Sequence, residues 1–121
     1  MMIKNDWLLE QIKTLTRSIS LLLLGKYPKE EEMVLYKKEN RLWLELDAFL
    51  KERRVNDGEN RLFEALDNQE EGAYVAVVLF YDALNQWTEE ELKEAKFSRE
   101  EIYSGLKDVM KTYGPTGELF V

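Results

Sequence analysis

Residues 73–85 read AYVAVVLFYDALN, and the reading of this run decides the fold. From Ala73 to Tyr81 it is apolar on every side. It shows neither the alternation of a half-exposed strand nor the stripe of a surface helix. Taken alone it suits a buried strand, but a strand needs a partner, and no other stretch offers a convincing one. The continuation Asp82-Ala83-Leu84-Asn85-Gln86-Trp87 carries the run to helical length. The spacing therefore predicts a central buried helix over 73–87, with Asp82 and Asn85 as its polar edge.

The segments around it agree with a helical partner set. The chain has 121 residues, which suits one domain with a single core. Two prolines and six glycines leave room for long regular elements. We expect an all-α single-domain bundle of five or six helices with tetratricopeptide-like antiparallel hairpins. Its parts are a basic amphipathic N-terminal helix (1–26), a long second helix (27–54), helical hairpins (56–115) and a tail (116–121).

In the N-terminal helix, Leu8, Ile12, Leu15, Ile19 and Leu22 step by four and three residues, which is a heptad seam. Gly25 suits the residue after its C-terminus. The seam has three readings: packing within the domain, association with a second chain as a homodimer, or, with the basic face of Lys4, Lys13 and Arg17, a helix lying on a membrane surface, for which the segment carries little excess charge. Pro28 and the Glu30-Glu31-Glu32 run suit the first turn of the second helix. Its inward positions are expected at Val34 or Leu35, then Leu42, Leu46 and Phe49. Asn56-Asp57-Gly58-Glu59 reads as a turn and cap, Asn56 capping and Glu59 reaching back. ENRLWLELD (39–47) and ENRLFEALD (59–67) look like one helix-face solution used twice. Thr88 with Glu91 and Ser98 with Glu101 form two capping boxes. The last helix places Ile102, Leu106, Val109 and Tyr113 on one face, and Gly105 inside it implies close packing.

Composition removes many chemistries. Without cysteine there is no disulfide, thiolate metal site or cysteine nucleophile. Without histidine there is no serine–histidine triad and no HExxH zinc site in the chain. The polar loop 67–72 faintly suggests a calcium loop, but Val78 stands where the twelfth-position Glu belongs. We expect no enzyme, no cofactor and no metal. The longest leucine run, Leu21 to Leu24, is too short to span a bilayer, and no signal-peptide pattern opens the chain, so the expected location is cytoplasmic.

The net charge is −7. Residues 1–29 hold five basic and two acidic side chains, and the rest hold twelve and twenty-two. Such an acidic body repels nucleic acid on average. One segment pulls the other way. In 88–113, Phe97, Ser98 and Ile102 match a helix-turn-helix, although Lys96 replaces the turn glycine and Leu92 the first-helix alanine. The would-be reading helix exposes Glu100, Glu101 and Asp108 with Arg99, and those carboxylates oppose phosphate contact. A nucleic-acid-binding regulator is thus the alternative, and a protein-interaction or scaffold module with an unidentified protein partner is the main expectation.

Ala76, Phe80 and Ala83 match the second-helix half of a tetratricopeptide repeat, while Asn60, Phe63, Glu64 and Asp67 miss the first half. DWLLEQIKTLTRSISLLLLGK (6–26), together with ENRLFEALD, FYDALN and FSREEIYSGLKDV, resembles a family of small uncharacterised bacterial proteins. That resemblance implies an all-helical, tetratricopeptide-like fold. It implies no assigned activity, so no functional residues carry over.

Overall fold

The structure is a computed structural model that describes residues 3–113. The described residues form seven helices and no strand: α1 (Ile3–Leu24), α2 (Glu30–Glu39), α3 (Arg41–Lys51), α4 (Val55–Asp67), α5 (Ala73–Asn85), α6 (Glu89–Glu94) and α7 (Arg99–Tyr113). The run that could have been a strand is α5, and it is the axis of the bundle. Ala76 through Tyr81 are all buried, and α1, α3, α4 and α7 pack around them, with α2 touching a further side. A helix apolar all round is stable only where neighbours cover every face.

Two helix starts follow the expected chemistry, the first with both bonds of the capping box and the second with its hydroxyl bond. The Thr88 hydroxyl accepts from the Glu91 N–H at 3.1 Å, while the Glu91 carboxylate accepts from the Thr88 N–H at 2.9 Å. The Ser98 hydroxyl accepts from the Glu101 N–H at 3.1 Å. Gly25 ends α1 in a left-handed conformation, φ 77°, its N–H returning to the Leu21 carbonyl. On α7, Ile102, Leu106 and Val109 face the core as expected. The Tyr113 side chain and the tail 116–121 lie outside the described residues.

Three expectations are corrected. The long second helix is two helices, which accounts for one of the additional elements. Asn40 is extended (φ −84°, ψ 110°), ends α2 and starts α3 by accepting from the Trp43 N–H at 2.8 Å. Its amide also donates to the Gly72 carbonyl at 3.0 Å, so the break is tied to the α4–α5 loop. The break resets the helical phase. Met33 and Tyr36 turn toward the core, and Val34 and Leu35, one or the other of which is expected inward, both face solvent.

Asn56 caps nothing. α4 already begins at Val55, and the turn before it lies at Arg53, whose φ is 61°. Gly58 is helical and buried because Phe49 and Phe80 crowd it: an added Cβ would lie 3.3 Å from Phe49 Cβ and 3.2 Å from the Phe80 ring. The glycine that reads as a turn signal is a packing glycine.

Candidate functional site

The five seam residues come first. Leu8, Ile12 and Ile19 are buried, and Leu15 and Leu22 are half-buried against the same core. α1 lies along α5 and α7. In the single chain the stripe is used in cis, where each fully buried aliphatic side chain contributes about 2 kcal/mol.

The 88–113 segment does form helix, turn, helix. Lys96, where the DNA-reading pattern would carry glycine, takes the left-handed conformation at φ 58°. The cation opening the second helix is nevertheless turned inward. Arg99 is buried, donates to the Asn85 and Trp87 carbonyls, and pairs with Glu89 at 2.8 Å. It holds the end of α5 to α6. Glu100, Glu101 and Asp108 stay exposed, so the outer face of α7 starts acidic.

Two carboxyl groups, Glu59 and Asp82, are shifted upward, and of these the sequence pointed only to Asp82, on the polar edge of the central helix. Glu59 on α4 accepts from the buried Tyr81 hydroxyl at 2.6 Å. Burial pushes its carboxyl above the ordinary range, the Tyr81 bond partly offsets this, and the charges of Glu101 and Asp108 add to it. Burial, and then the Glu59 charge, pushes the Tyr81 phenol far up as well. Gly105 closes over the pair: an added Cβ would stand 2.4 Å from Glu59 Oε2 and 2.5 Å from the Tyr81 oxygen. This contact pins α4, α5 and α7 together. Asp82 is also raised by burial, with Lys37 and the Gln86 amide pulling it back, and it lines shallow grooves beside Thr16 and Arg17. Among the described residues no cluster of three carboxylates is placed to hold a metal ion.

Arginines join the remaining elements. Arg61 on α4 pairs with Glu45 on α3 at 3.0 Å, with Glu64 at 3.2 Å and with Glu70 at 2.8 Å. Arg53 lies over the Trp87 ring at 4.4 Å and pairs with Glu91 and Glu94, tying the α3–α4 turn to α6.

The element that stands apart is α2, which has no buried residue. It is held by Met33 and Tyr36 on its inner side, by Glu32, which pairs with Lys26 and accepts from the Lys29 N–H, and by Lys37 over the Trp43 ring. Its outer side carries Val34 at 55% and Leu35 at 52% exposure, with Leu44 of α3 equally open. Val34 and Leu35 are thus adjacent apolar side chains left in water on the side of α2 opposite Met33 and Tyr36. Sequence reasoning missed them because it assumed an unbroken helix through Asn40.

Among the described residues no helix is long and apolar enough to cross a membrane. No curated protein matches the chain, and no solved structure does. Residues 2–114 match a family of unknown function (DUF6483). An all-helical bundle spanning nearly the whole match is thus the fold of this chain as a member of that family.

Proposed function

We propose that the chain is a non-enzymatic protein-interaction module whose docking element is α2. The observation that carries this reading is the exposed Val34–Leu35 pair on a helix that buries no residue of its own. A ten-residue helix is marginal by itself in water, so a partner that covers its apolar face would stabilise it. Self-association through the α1 stripe has less support, because α1 would first have to leave its place along α5 and α7.

The tetratricopeptide-like reading rests on the α4–α5 hairpin. Ala76 and Phe80 of α5 are buried, and the Phe80 ring lies against Gly58 of α4, as a close helical hairpin requires. A bacterial, cytoplasmic setting suits a chain that has no cysteine. For the nucleic-acid alternative the turn at Lys96 is favourable geometry, but the inward Arg99 and the acidic start of α7 oppose it.

The test compares immobilised wild-type chain with Val34→Glu/Leu35→Glu, both checked for unchanged thermal unfolding. Loss of bound protein, of the same chain or another, from the variant supports the reading. Equal binding by both removes it.

A further inference from the structure

The exposed face of α2 is self-complementary, and we infer that it pairs with the α2 of a second copy in an antiparallel, two-fold arrangement. This rests on the reading of α2 as the docking element and names its partner.

Glu31, Val34, Leu35 and Lys38 are all exposed and occupy positions i, i+3, i+4 and i+7. They form one stripe on the helix surface, with an acid at one end, a base at the other and two apolar residues between. A two-fold axis crossing the helix between Val34 and Leu35 sets Val34 against Leu35 of the second copy, and Leu35 against its Val34. The same operation sets Glu31 against Lys38 of the second copy, and Lys38 against its Glu31. An isologous interface requires each contact to recur in this reciprocal way. A parallel arrangement would instead oppose Glu31 to Glu31 and Lys38 to Lys38. Antiparallel packing also places the positive end of each helix dipole beside the negative end of the other.

The charges at the ends of the stripe are available for this. Among the described residues Glu31 and Lys38 make no ion pair, whereas Glu32 is engaged by Lys26 and Lys37 lies over Trp43. The inner face is anchored by Met33 and Tyr36, so α2 presents the stripe outward in a fixed rotation. One helix face of this length is a small interface, and the pairing should be weak and concentration-dependent.

The experiment is light scattering of the full chain over a concentration series, with four variants beside it. The wild type shows a mass that rises toward the dimer with concentration. Glu31→Lys alone and Lys38→Glu alone each oppose like charges twice per dimer, and each weakens association about tenfold. The double variant Glu31→Lys/Lys38→Glu restores it, because the swapped charges again meet across the two-fold axis. Val34→Glu/Leu35→Glu is monomeric with an unchanged melting temperature. A wild type that stays monomeric at about millimolar concentration overturns the second-copy pairing. So does a dimer that the single charge reversals leave intact. The docking role of α2 fails separately, when wild type and Val34→Glu/Leu35→Glu hold the same bound proteins.

Discussion

Two stretches of this chain share nearly the same letters and end up in different structures. ENRLWLELD (39–47) straddles a helix break, and ENRLFEALD (59–67) lies inside one continuous helix. Their inward leucines agree: Leu42 and Leu62 are buried, and so are Leu46 and Leu66. Their first three polar residues diverge. Glu39 is exposed and Glu59 is half-buried against Tyr81. Asn40 is a cap, while Asn60 is an exposed mid-helix residue. Arg41 is exposed, and Arg61 holds three carboxylates, one of them Glu45 from the other copy of the motif. The apolar period sets which face goes inward, and the surroundings decide what each polar group does. Asn40 becomes a cap because the Gly72 carbonyl is there to accept its amide, and because a break lets α2 bring Met33 and Tyr36 onto the core.

The largest test of that difference is the asparagine pair. Asn40→Ala removes the α3 cap and the bond to the α4–α5 loop and should cost about 1.5 kcal/mol. Asn60→Ala replaces an exposed helical residue by a better helix former and should raise stability by about 0.5 kcal/mol. Urea unfolding of both variants gives the comparison. Equal effects would mean that the break at Asn40 is not held by its side chain.

The arginine pair comes next. Arg61→Met strips the shared counter-charge from Glu45, Glu64 and Glu70 and should cost about 1 kcal/mol, less at high salt. Arg41→Met should stay within about 0.5 kcal/mol of wild type. If the two variants unfold at the same urea concentration, the network adds nothing beyond ordinary surface charge.

This pattern also explains what could be read from the sequence. The central helix was legible because a run apolar on all sides needs cover on all sides. The starts of α6 and α7 were legible because a hydroxyl and a carboxylate three residues apart are a local device. The α1 stripe was legible as a stripe, though not as to what would cover it. The break at Asn40 was hidden, since the identical Glu-Asn-Arg-Leu letters are helical twenty residues later and the deciding group is the distant Gly72 carbonyl. The exposed stripe on α2 was hidden with it. An unbroken helix puts Val34 or Leu35 in phase with Leu42 and Leu46, and only the reset at Asn40 turns them outward. Glu59 and Tyr81 were hidden because their contact joins separate helices, and only Gly105 hinted that something lay close to α7.

The smallest effect concerns the glutamate that opens the second stretch, and it appears as a change with pH. Burial raises the folded-state pKa of Glu59 above its ordinary value, with Glu101 and Asp108 adding to the rise and the Tyr81 bond opposing it. The folded chain therefore keeps a proton on Glu59 at a pH where the unfolded chain has released it. Stability from this group is present below the ordinary carboxyl pKa and is lost as pH rises through the raised one. Glutamine does not titrate, and its amide oxygen still accepts from the Tyr81 hydroxyl. Glu59→Gln should thus gain stability relative to wild type as pH climbs from about 4 to about 8. Urea midpoints across that range decide the matter. A relative stability of Glu59→Gln that falls with rising pH would mean that the charged hydrogen bond to Tyr81 outweighs desolvation. The glutamate would then be an ionised strut between α4 and α5, and its cover by Gly105 would keep water from competing for that bond.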